Sequence, residues 1–264
     1  SYLQVAGQGA WSRQDADANA TAVQVKPSNT NQSIRVLSPG NDGDVTQSNS
    51  ATAVGIAANL NATHQTIDQD QSGRGQGSDY TQVAGQEAAS HQEADADAFA
   101  LQWKPSNTNR SIRVLSPGHD GDVSQSNSAT AIAAGLNANA TGQSIDQDQT
   151  GRGHGGSYLQ VAGQGAWSHQ DADAKAAAAQ FGASNENDPI RVKSPGGGGS
   201  VEQSNSVGSL ALALNLNETC QALFQEQAGY GSDSLQVGGQ GSWSDQRGGA
   251  MSSAIQGGKL KKKR

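Results

Sequence analysis

Residues Val45–Gln71 read VTQSNSATAVGIAANLNATHQTIDQDQ, and the fold turns on how this stretch is read. In steps of two, one face carries Gln47, Asn49, Ala51, Ala53, Gly55, Ala57, Asn59, Asn61, Thr63, Gln65, Ile67, Gln69 and Gln71. The other carries Thr46, Ser48, Ser50, Thr52, Val54, Ile56, Ala58, Leu60, Ala62, His64, Thr66, Asp68 and Asp70, more aliphatic around Val54, Ile56 and Leu60. A period of two held this long specifies extended strand and excludes an amphipathic helix. The first face is chemically unusual, because amides and methyl groups stack well on copies of themselves.

Such copies exist. YLQVAGQGAWSRQDADA at Tyr2 returns at Tyr80 and at Tyr158, an offset of 78 residues each time. The same offset joins Ile34, Ile112 and Ile190, and Gln47, Gln125 and Gln203. Residues 1–79, 80–157 and 158–233 are thus three repeats; residues 234–256 are a further half repeat, and 257–264 a basic tail ending KLKKKR. Within each repeat a first alternating half (Gln4 to Gln24) is followed by a Pro/Asn loop and a short strand, Ile34–Val36. The turn Ser38-Pro39-Gly40-Asn41-Asp42-Gly43-Asp44 comes next, and then the second alternating half.

Composition points the same way. Hydrophobic residues make up 33 % and aromatics 4 % of the 264 residues, with 34 glycines and a mean hydropathy of -0.65. A core of Leu, Ile and Phe cannot be built from this, so order must come from repetition and backbone pairing. The expected fold is all-β, a β-solenoid of 78-residue repeats. Strands of 27 residues are rare, so each half is expected to bend at corners into shorter strands. Equivalent residues then form columns: Gln8, Gln86, Gln164; Gln14, Gln92, Gln170; Gln47, Gln125, Gln203; Asn49, Asn127, Asn205; and Asn61, Asn139, Asn217. Buried amides can hydrogen-bond along such columns only if register is kept, and the unbroken 78-residue spacing keeps it. The sequons at Asn61, Asn139 and Asn217 fall in one of these columns and read as ladder positions. Asp15, Glu93 and Asp171, and Asp17, Asp95 and Asp173, form acidic columns that must face solvent or basic partners; Arg35, Arg113 and Arg191, which recur at fixed register, are the candidate partners, and a solvated acidic face is the equal alternative.

The pattern Gln47-x-Asn49-x-Ala51 with Gln65 and Gln69, repeated at Gln125, Asn127, Ala129, Gln143 and Gln147, resembles the curli-type family of bacterial extracellular fibre subunits. The resemblance implies a secreted, amyloid-like structural subunit of cell-surface or biofilm filaments. The repeat here is several times longer, and the Gly-x-x-Asn spacing of that family is missing.

Other functions find less support. A net charge of -7 argues against nucleic-acid binding. The single cysteine, Cys220, excludes an intrachain disulfide framework, and no apolar run is long enough for a membrane span. No catalytic motif is present, and the shared column of His91 and His169 also holds Arg13 and Asp245, so no enzyme activity and no cofactor are expected. Calcium is the chemical alternative, at Asp42, Asp44, Asp120 and Asp122, but the third copy reads Gly197-Gly198-Gly199-Ser200 and turn chemistry is favoured. The start at Ser1 is read as a mature chain without its signal peptide. The function expected is a homopolymer built head to tail by strand stacking, with the half repeat as its joint through Leu235, Val237 and Trp243. The alternative is a monomeric surface-binding solenoid of adhesin or ice-binding type. The basic tail is a candidate contact for matrix or cell-wall polymers.

Overall fold

The alternation of residues 45–71 becomes one uninterrupted strand. In the computed structural model, which describes residues 1–74, 77–151, 155–229 and 233–258, the first repeat consists of β1 (Tyr2–Val25), β2 (Ser28–Val36) and β3 (Val45–Gly73). The second holds β4 (Tyr80–Trp103), β5 (Ser106–Val114) and β6 (Val123–Gly151). The third holds β7 (Ser157–Phe181), β8 (Ser184–Asn187), β9 (Ile190–Val192) and β10 (Val201–Gly229), and β11 (Asp233–Gly257) follows. The basic tail from Lys259 onward lies outside the described residues.

All pairing is parallel and in register. One sheet has the order β1-β4-β7-β11, a second β3-β6-β10, and a small third has β2 on β5, with β8 and β9 end to end along the far edge of β5. Tyr2 pairs with Tyr80 and Tyr80 with Tyr158, an offset of 78. Tyr158 then pairs with Ser234, an offset of 76. The chain is therefore all-β, with parallel strands in stacked, solenoid-like sheets, and each repeat is a single flat coil.

The corners expected inside the long halves do not occur. β1 runs for 24 residues and β3 for 29, about 80 and 95 Å at roughly 3.3 Å per residue. The reason lies in the same alternation. A corner needs a left-handed residue or a break in the in/out pattern, and within these strands there is neither. Positive φ occurs instead at Lys26, Leu37 and Gly40 of the first repeat, at Lys104, Leu115 and Gly118 of the second, and at Gly182, Lys193 and Gly196 of the third. These positions bend the coil between β1 and β2 and reverse it between β2 and β3. β3 thus returns antiparallel to β1 across the interior, with the Gln4, Gln8 and Gln14 amides donating to the carbonyls of Asp70, Thr66 and Leu60. In the third repeat Pro189 has no N–H for the ladder and splits the short strand into β8 and β9, on a sheet edge where such a gap is tolerated.

The core is made of methyl groups. Ala94, Ala96, Ala98 and Ala100 of one sheet face Ala129, Ala131 and Ala133 of the other, all buried. The two backbones come close: a Cβ added to Gly135 would lie 2.7 Å from the carbonyl oxygens of Ala94 and Asp173. At the closing end Tyr2, Tyr80 and Tyr158 stack, with ring centroids 5.1 and 5.3 Å apart, against Gly73 and Gly151, where no side chain fits. An interior this thin has no room for larger residues. Replacing Ala131 with Leu is expected to destabilise the fold by about 1–3 kcal/mol through overpacking, read as a lower urea midpoint; an unchanged midpoint would refute the tight apposition of the sheets.

Candidate assembly interface

The amide columns carry the interior. Gln8, Gln86 and Gln164 stand above one another at 3.1 and 3.0 Å, and Gln14, Gln92 and Gln170 at 2.8 Å. Gln47, Gln125 and Gln203 follow at 2.7 and 2.8 Å, and Asn49, Asn127 and Asn205 at 2.9 Å. Asn61, Asn139 and Asn217 are spaced by bonds of 2.7 Å, so these sequon asparagines are ladder members here. The central amides Gln86, Gln92, Gln125 and Asn127 are also bonded across the interior, whereas Asn139 turns its second hydrogen to Thr141 of its own strand. Gln92 donates one hydrogen down its column and the other to the Ala138 carbonyl at 3.0 Å, while its oxygen accepts from Gln170. Both N–H hydrogens and the carbonyl oxygen of a buried side chain are thus used.

Cross-bonding shows how the sheets mesh. Asn59 of β3 donates to the Gln14 carbonyl of β1 at 3.3 Å and to the Glu93 carbonyl of β4 at 2.5 Å, so β3 sits half a rung above β1. Gln82 of β4 likewise bridges the Gln69 carbonyl of β3 and the Asp148 carbonyl of β6.

The columns have direction. Every inter-rung glutamine bond among the described residues runs downward, the later rung donating its Nε2 to the Oε1 of the earlier, as in Gln82 to Gln4, Gln160 to Gln82 and Gln236 to Gln160. Every inter-rung asparagine bond runs upward, as in Asn29 to Asn107 and Asn107 to Asn185. The β10/β11 end of the stack therefore presents glutamine acceptors, and the β1/β3 end glutamine donors. For asparagine the assignment is reversed. On the four-stranded sheet, whose inter-rung amide bonds are all between glutamines, the β11 edge is the complement of the β1 edge, and neither is the complement of itself.

Leu235, Val237 and Trp243 lie on the outward face of β11, the last strand of its sheet, and all three are exposed. Trp243 stacks on Trp167 at 5.5 Å, and Trp11 in the same column of β1 is 78 % exposed. Val54, Ile56 and Leu60 of β3 are exposed on the outer face of the other long sheet.

Of the two readings of the acidic columns, the solvated face holds and the arginine pairing does not. Arg35, Arg113 and Arg191 do not meet the acidic columns of β1, β4 and β7, because the coil brings them to the reversal turn. Arg35 Nε lies 2.7 Å from Asp42, Arg113 bridges Asp42 and Asp120 at 3.1 and 2.9 Å, and Arg191 reaches Asp120 at 2.6 Å. Arg113 is fully buried, and its guanidinium also donates to the Gly40 and His119 carbonyls. The proposed calcium ligands Asp42 and Asp120 are thus neutralised by guanidinium groups that a cation would have to displace. Asp44 and Asp122 accept backbone N–H bonds from Asp122 and Ser200 in the rungs above. A different set, Asp15, His91 and Glu93, places one metal-ligating atom each within 4.8 Å of the others on the outer face of β1 and β4. Asp15 is also 3.4 Å from Arg13.

Charge spacing shifts two carboxyls in opposite directions. Burial, and then the carboxylates of Asp173 and Asp17 one rung away, hold Asp95 above the ordinary aspartate range. Burial pushes Asp42 up as well, but the Ser111 hydroxyl and the Arg35 and Arg113 guanidiniums outweigh it and hold the group below that range.

Comparison of the chain with protein-family models, with curated proteins and with solved structures gives no match. No helix among the described residues is long and apolar enough to cross a membrane.

Two measurements check this geometry. Gln92→Leu leaves the Gln14 oxygen and a Gln170 hydrogen without partners, at a cost of about 1–3 kcal/mol for each orphaned group; a loss in urea denaturation no larger than that of an exposed Gln→Leu change would refute the column. The second is pH. Asp95, with its raised folded value, contributes fully below the unfolded value of about 3.9, and that contribution is lost as pH rises through the folded value. Asp42, with its lowered value, contributes above about 3.9 and loses that contribution as pH falls through its folded value. Stability is therefore expected to rise as pH falls from 7 to about 4 and to drop below that; a steady decline from pH 7 would count against the stacked carboxyls.

Proposed function

We propose that this protein is a structural subunit that polymerises head to tail into an extracellular filament. The observation that carries the reading is the single direction of the glutamine columns on the β1-β4-β7-β11 sheet, which leaves donors at the β1 edge and acceptors at the β11 edge. Two ends that are complementary to each other, and not to themselves, make a heterologous contact that propagates instead of closing as a dimer. The parallel edges at β1 and β11, each the last strand of its sheet among the described residues, favour the same outcome, because unpaired N–H and C=O groups recruit further strands. A polar interior without a large apolar core also suits a stack, since each strand added to the four-stranded sheet satisfies the glutamines of the one before it. The secreted setting rests on the curli-type resemblance and on an acidic chain with a single cysteine.

Negative-stain electron microscopy of the purified chain tests the reading. Unbranched filaments are expected, and deletion of Ser234 to Arg264 is expected to leave short or soluble assemblies. A full chain that stays monomeric at concentrations well above micromolar would overturn the proposal and favour a monomeric surface-binding solenoid.

A further inference from the structure

Resting on the polymer reading, we infer that the joint is formed by β1 of the next copy adding to β11 in one register, locked by a reversal of charge that only β11 carries. Down the outer face of the long four-stranded sheet, one column reads Arg13, His91, His169 and then Asp245. The adjacent column reads Asp15, Glu93, Asp171 and then Arg247. In both, the sign on β11 is opposite to the sign on β1.

Continuing the stack by one strand places Arg13 of the next copy on Asp245 and its Asp15 on Arg247. The same register sets Trp11 on Trp243, Val5 on Val237 and Leu3 on Leu235. Inside the sheet, Gln4, Gln8, Gln14 and Gln24 of the next copy meet Gln236, Gln240, Gln246 and Gln256, the residues that end the glutamine columns. Slipping the register by one residue would turn every side chain to the wrong face. Slipping by two in one direction sets Arg13 on Arg247, and in the other Asp15 on Asp245. Like charges directly opposite are destabilising, so both slips are penalised and one register remains.

The strand count then fixes the filament. Each copy contributes four strands to the β1 sheet and three to the β3 sheet. With β1 on β11, the axial rise is four rungs, about 19 Å at roughly 4.8 Å per strand, and a slot one strand wide opens between β10 and the next β3.

The test uses the full chain. D245R/R247D should raise the critical concentration for assembly on the order of tenfold, as two attractive pairs become repulsive, and R13D/D15R should do the same from the other end. Mixed in equal amounts, the two defective variants should copolymerise, because each reversed end then meets its complement. Copolymerisation separates the joint from a folding defect, which mixing cannot repair. Variants that each assemble like the parent, a mixture that fails to assemble, or a helical rise of about 14 Å, three rungs with β3 placed on β10, would overturn the joint while leaving the polymer reading intact. Absence of filaments from the parent chain would instead overturn the polymer reading.

Discussion

The structure depends on the hydrogen bond between one buried side-chain amide and its copy in the next rung. An interior lined with glutamine and asparagine is unfavourable unless each donor and acceptor finds a partner, and partners of matching length exist only at the equivalent position of a neighbouring coil. That requirement forces parallel, in-register pairing over whole strands. It accounts for the 78-residue spacing and for strands that run 24 and 29 residues without a corner. Alanine serves the same end, since its methyl group lets the facing sheet come close enough for Gln92 to reach the Ala138 carbonyl.

Charge is handled in two ways. On the outer face of β1, β4 and β7 like charges stand in columns and are tolerated because they are solvated, at the expense of a raised Asp95. At the reversal turn the charges are drawn inside and alternate, Arg35, Asp42, Arg113, Asp120, Arg191, so each buried guanidinium lies against a carboxylate. A buried arginine without such partners would be strongly destabilising. The third repeat replaces the aspartate with Gly198, and Arg191 is served from the rung below.

A stack with direction differs from a stack that is merely repetitive. Because glutamines donate one way and asparagines the other, the two ends are chemically distinct, and β11 adds a second distinction by exchanging the signs of two surface columns. Both features lie on the edges, where a globular protein would place a cap.

The strand class, the in/out partition of residues and the columns were legible from residues 2–24 and 45–71, because alternation and a constant offset are properties of the chain itself. The bend and the reversal fall where Pro27 and the Ser38–Asp44 turn announce them. Corners were also expected inside the long halves, where the structure has none, since rarity of long strands is a statistical rule and the alternation is unbroken there. The pairing of Arg35 with Asp42, and not with the acidic columns, also came from the reversal turn, which sets these side chains face to face across seven residues. The direction of each amide column lies beyond sequence altogether, because which end of an amide donates is settled only when the facing strand supplies a carbonyl. Period, register and turn positions, which are local or repeated, were determined by the sequence alone; the unbroken length of the strands, the charge partners and the polarity, which arise between segments, were decided by the tertiary structure.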